Sequence, residues 1–137
     1  MKTICITVLV FSRWVIFSSS IGRGNEEWVA PAFADTLKNP FTADGKIIAE
    51  GKKIYESVCW SCHGLDGKGE GPASKELKPK PADHTSDKVQ KQSDGAIFWK
   101  MSKGRGEMLP LEKSLSKQQR WKLVCYIREL GKKEGTQ

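Results

Sequence analysis

The sequence predicts an all-α fold, three to five helices set among long loops. Three observations predict it. Apolar residues recur at helical spacing in three separate stretches, 44–59, 94–103 and 117–130. No stretch alternates apolar and polar residues as a half-buried strand does, and no internal repeat is present. The connections are dense in turn signals, above all Gly64-Leu65-Asp66-Gly67-Lys68-Gly69-Glu70-Gly71-Pro72.

At 137 residues the chain suits one small domain preceded by a targeting segment. Charged residues are 28% and hydrophobic ones 38%, the balance of a soluble domain rather than a membrane-embedded one. Residues 1–24 carry Lys2, Arg13 and Arg23 and no acidic residue, so their removal lowers the formal charge from +7 to +4. With no basic recognition helix and no stacking platform, nucleic acid is not the expected partner. An acidic protein surface, met by electrostatic steering, fits better.

Residues 1–24 read as a secretory signal peptide. Met1-Lys2 precedes the apolar run from Ile4 to Phe11. The run is shorter than the roughly 20 apolar residues a membrane span needs, and Arg13 interrupts it; an uncleaved anchor is the lesser alternative. Ser18-Ser19-Ser20 and Gly22 put cleavage near residues 20–24, with Ala32-Phe33-Ala34 as a second site of small-x-small form. The expected location is the periplasm, or elsewhere outside the cytoplasm. Residues 25–43 form an irregular arm with Pro31 and Pro40, which Trp28, Phe33 and Phe41 are expected to pin to the domain. The domain itself is expected over 44–131, with a tail over 132–137.

The first helix covers 44–59. Asp44 can cap it, and Ile47, Ile48, Ile54, Tyr55 and Val58 form its apolar side. Gly51 interrupts that side at a cost of up to about 1 kcal/mol against alanine, which predicts close approach by another element.

Cys59-Trp60-Ser61-Cys62-His63 follows, the C-x-x-C-H attachment signature of c-type haem. The spacing has a chemical reason. Two thiols three positions apart can each add to one vinyl group of a haem, and the next residue brings an imidazole to the iron. Two other readings fit less well. A thioredoxin-like dithiol opens a helix after a strand, whereas here a helical pattern precedes the cysteines. A structural zinc site needs about four ligands, and only His84 and Cys125 remain, at no zinc-like spacing. Of the other cysteines, Cys5 lies in the signal and Cys125 reads as a small buried hydrophobe.

Residues 64–92 read as loop, with a brief helical piece at Ala73–Leu77 and an extended Lys78-Pro79-Lys80-Pro81. The second helix, 94–103, sets Ile97, Phe98 and Met101 on one side and stops at Gly104. A Gly-rich loop runs to Pro110. The last helix spans about 117–130. Ser116 and Gln119 make a capping box, Trp121, Leu123, Val124, Cys125, Tyr126 and Leu130 form a wide apolar face, and Gly131 is expected to close it.

His63 supplies one axial ligand. The candidates for the other are Met108, Met101, His84 and an open, water-filled position. Met108 is preferred, because its loop is stiffened by Pro110 and can bring a thioether to the far face. Met101 lies on a helix face where a core role is expected, and His84 in its loop reads as a solvated histidine.

The chain resembles the class I c-type cytochromes, the small bacterial monohaem kind, over about residues 44–131. The resemblance rests on Cys59 to Gly64, Gly67 to Pro72, Asp94 to Trp99, Gly104 to Met108 and Trp121 to Leu130. It implies a class I cytochrome c fold wrapped around one covalent haem c, held by Cys59, Cys62, His63 and Met108, with His63 and Met108 on the iron. It implies that Gly51 and Tyr55 pack against Tyr126 where the first and last helices cross. It also implies that a proline carbonyl accepts the Nδ1 proton of the ligand histidine, with Pro72 the best match. Leu109 departs from the family's pattern, in which proline directly follows the methionine. Arg105 stands either near a propionate or in solvent.

The expected function is electron carriage in periplasmic or respiratory transport, without catalytic residues and not as an enzyme. Two alternatives stand beside it. One is an open-site haem protein that binds a small gas or peroxide. The other is a haem subunit of a larger respiratory or dehydrogenase complex, which would bring association with a membrane complex.

Overall fold

The structure, a computed structural model, describes residues 27–134. Helices begin where the sequence offers a cap. The Asp44 carboxylate accepts the Ile47 N–H at 2.9 Å and opens α1 (Gly45–Val58). Cys59 closes α1 in helical conformation, so the chain runs on directly into the single turn α2 (Trp60–His63). Another single turn, α3 (Asp87–Gln90), follows the long loop. Ser93 Oγ accepts the Ala96 N–H at 3.0 Å and opens α4 (Asp94–Lys103). Ser116 and Gln119 exchange hydrogen bonds, Ser116 N–H to Gln119 Oε1 at 2.8 Å and Gln119 N–H to Ser116 Oγ at 3.2 Å. This is the expected capping box, and it opens α5 (Lys117–Glu134). Among the described residues there are five α-helices and no strands, with 3₁₀ turns at Ala32–Thr36, Ser74–Glu76 and Leu111–Lys113.

The core is built where α1 and α5 cross. A Cβ on Gly51 would run into the Lys122 carbonyl oxygen and meet the Tyr126 Cβ, so only glycine lets the two backbones approach this closely. One turn on, Tyr55 is fully buried and packs edge-on against Tyr126, ring centroids 5.2 Å apart. The crossing is the expected one. Glu50 and Lys122 close it at the surface with an ion pair. α4 completes the core with Ile97, Phe98 and Met101, and Phe98 stacks on Trp121 at 3.9 Å.

The arm packs on the domain through Trp28 and Phe41, as expected, and through Ala34 and Asn39 besides. Ala34 is buried, and its carbonyl lies where a Cβ on Gly95 would be. The Asn39 side-chain N–H donates to the Trp121 carbonyl at 3.3 Å. Trp28 lies between Lys100 and Arg105, each about 6 Å from its ring. Phe41 sits under Lys122. Phe33 is 58% exposed and pins nothing.

Two helix boundaries depart from expectation. The piece at 73–77 is only Ser74–Glu76, and α3 lies within the stretch that reads as loop. Gly131 does not close α5, which continues to Glu134. A Cβ at Gly131 would strike the Gln90 side chain, so this glycine makes room inside the helix. Cys125 is buried, as expected. The signal segment and the end of the tail lie outside the described residues. No described helix is long and apolar enough to cross a membrane.

Candidate functional site

The cysteine motif occupies one continuous turn. Cys59 N–H donates to the Tyr55 carbonyl at 2.8 Å, so the motif hangs from the buried end of α1. His63 N–H returns to the Cys59 carbonyl at 2.9 Å. The following loop then folds back along the turn. Gly69 N–H reaches the His63 carbonyl at 2.8 Å, Gly71 N–H the Cys62 carbonyl at 3.1 Å, and Ala73 N–H the Ser61 carbonyl at 2.8 Å. Cys59 and Cys62 are half-buried free thiols. Burial, with Cys62 nearby, pushes the Cys59 thiol up to about 12, so it is held un-ionised.

His63 is buried, and its Nδ1 lies 2.9 Å from the Ala82 carbonyl oxygen. A carbonyl only accepts, so Nδ1 carries the proton and Nε2 keeps a bare lone pair. Burial lowers the pKa of His63, and the Ala82 hydrogen bond opposes it. The acceptor is thus Ala82 and not Pro72. Gly71 and Ala73 are bonded to the motif's backbone, so Pro72 lies along the turn, and the chain returns to the His63 ring only after Pro81.

His84 is also corrected. It is 9% exposed rather than solvated. Its ring stacks on His63, centroids 4.1 Å apart and planes 16° apart, and its Nδ1 lies 3.2 Å from the Tyr55 hydroxyl. Burial, and after it His63, lowers its pKa well below the usual histidine value, so the ring is neutral. A ring laid flat on His63 shares that residue's side of the site and does not approach an iron from the opposite face. Sequence reasoning missed this role, since its only signal was a histidine two residues past the Pro81-Ala82 pair.

Met108 is half-buried and packs against the same core cluster as Cys59. Its loop is closed by a two-way backbone bridge, Arg105 N–H to the Met108 carbonyl at 2.9 Å and Met108 N–H to the Arg105 carbonyl at 3.1 Å. Gly104 makes the turn with φ of 64°. A side chain there would be strained by that φ and would collide with the Met108 carbonyl. The Lys103–Glu112 ion pair, 3.0 Å, spans the loop. Met101 is buried in the core, as expected. The Arg105 guanidinium lies against Trp28.

The motif brings together two thiols free of each other and an imidazole with one open nitrogen, while Met108 lies against the core that Cys59 also touches. This donor set fits a haem and not a zinc ion: among the described residues no cluster of three or more His, Cys, Asp or Glu side chains could hold a metal.

All-α helices around a C-x-x-C-H turn define the class of the c-type haem proteins, which this chain resembles. The family model described as Cytochrome c matches residues 48–131, and the chain belongs to that family. The family implies covalently bound haem c at Cys59 and Cys62 and points to haem-based electron transfer. The fold is similar to a chain of the Kuenenia stuttgartiensis reducing HAO-like protein complex, at 30% identity and a TM-score of 0.61, over 77% of this chain and 52% of that one. This chain therefore spans about half the length of that chain. No curated protein matches it.

Proposed function

We propose that the protein is a one-electron carrier with a single haem c, tethered by Cys59 and Cys62 and ligated by His63 and Met108. The observation that carries the reading is the commitment of His63 Nδ1 to Ala82, which leaves Nε2 as the nitrogen free for iron. When bound, the haem supplies one-electron exchange between Fe(II) and Fe(III). The chain's own residues hold and tune it. The motif turn fixes the tether, the Ala82 carbonyl orients the imidazole, and a thioether from Met108 favours Fe(II) and raises the potential. A carrier of this kind asks no residue to move a proton or attack a substrate. Export by residues 1–24 puts it in the periplasm or elsewhere outside the cytoplasm, and the +4 charge left after cleavage suits an acidic redox partner.

A redox titration followed by ligand-sensitive spectroscopy tests this reading. The expected result is a low-spin, six-coordinate iron with sulfur ligation in both states. A five-coordinate, high-spin resting iron, or rapid carbon monoxide binding to the reduced native protein, would replace it with the open-site alternative.

A second reading has one observation in its favour, the likeness to a chain of a protein complex. There the same haem would relay electrons as a subunit. Co-purification with a larger assembly supports that reading, and a freely diffusing monomer opposes it.

A further inference from the structure

We propose that His84 is a positioning residue for the iron: its ring, stacked on His63 and registered by the Tyr55 hydroxyl, fixes the plane of the axial imidazole. The proposal rests on the reading of His63 as the haem ligand. One hydrogen bond to Ala82 does not fix that plane, because N–H···O geometry tolerates tens of degrees of tilt before it weakens steeply. A flat ring 4.1 Å away and within 16° of parallel removes the remaining twist.

His84 can act as a stop only if it cannot move, and it is tied on every side. Its N–H donates to the Gly67 carbonyl at 2.7 Å, and its own carbonyl accepts from Gln90 Nε2 at 2.6 Å. Gln90 in turn donates to the Ile127 carbonyl of α5 at 3.0 Å. Its Nδ1 meets the Tyr55 hydroxyl at 3.2 Å, and Tyr55 is fully buried against Tyr126. An aliphatic side chain would fill the same space without burying a polar ring, which is unfavourable unless partnered. Here the polar ring is buried with its Tyr55 partner, face to face with His63.

The plane of an axial imidazole decides which of the iron's π-bonding d orbitals lies higher. That order is read directly in the g values of the oxidised low-spin protein and in the spread of its haem-methyl proton shifts. The test compares the full-length haem-loaded chain with His84→Leu, Tyr55→Phe and the double variant. All three are expected to keep covalent haem. His84→Leu should shift the g values and change the methyl spread. Tyr55→Phe, which keeps the ring and loses only the hydroxyl, should produce a smaller change in the same direction. The double variant should match His84→Leu alone.

A His84→Leu spectrum superimposable on that of the unaltered protein would overturn the proposal. So would a Tyr55→Phe change that is the same size with and without His84. Should His84→Leu not fold, an unshifted Tyr55→Phe spectrum overturns it alone. An unaltered chain lacking covalent haem would instead overturn the carrier reading, a separate result.

Discussion

The two sides of the candidate haem site are built differently. The His63 side is dense and inward. His63 and His84 are buried, and the motif turn is bonded back to the loop that follows it at three successive carbonyls. The Met108 side is a surface loop closed by its own backbone bridge and a partly exposed ion pair, with neighbouring Leu109 75% exposed. Regions with few buried contacts open first. The comparison teaches that the imidazole and the motif turn are anchored inward, while Met108, the proposed sulfur ligand, sits on the loop that opens more readily.

The largest expected effect comes from Met108→Ala, which removes one side and leaves the other. Covalent haem should persist, sulfur ligation should vanish, and the midpoint potential should fall. Loss of haem attachment in this variant would break the comparison.

Gly51→Val acts on both sides through the α1–α5 crossing. Overpacking against the Lys122 backbone is expected to cost roughly 3 kcal/mol. The melting temperature should fall by more than about 10 °C, the haem band and the helical signal together. Separate transitions would mean that the two sides fold independently.

Gly104→Ala touches the Met108 side alone. At φ 64° and ψ 172°, a region almost confined to glycine, alanine costs about 1–3 kcal/mol, before the collision with the Met108 carbonyl. Added imidazole should displace sulfur at lower concentration, with covalent haem unchanged. Equal ligand exchange in variant and parent would remove the loop from the comparison.

Glu50→Gln should have the smallest effect. The Lys122 hydrogen bond lowers the Glu50 pKa, so its contribution is present above the unfolded carboxylate value and fades as acid passes through the lowered folded value. The variant's stability should therefore depend less on pH in that acid range, as thermal melts at a series of pH values would reveal.

Much of the first side could be read from residue types alone. Asp44, Ser116 and Gln119 are caps with local chemistry, α4 spans the expected 94–103, and Gly51 marks a close approach, which the family resemblance assigns to a crossing with Tyr55 and Tyr126. The misses share a cause. The Ala82 carbonyl is backbone, and no side chain advertises it. His84 is buried by partners 21 and 29 positions away, a distance at which local pattern is silent. Four residues of α3 are too few for periodicity to register. Gly131 has the composition of a stop, and packing against Gln90 overrides it.

Gln90 has a wider effect than its size suggests. One amide group clasps the carbonyl of His84 and the carbonyl of Ile127. The peptide behind the imidazole is thereby riveted to the last helix. Fraying of that helix should be visible as a change of colour, so absorbance at a single wavelength can time the departure of the C-terminal segment.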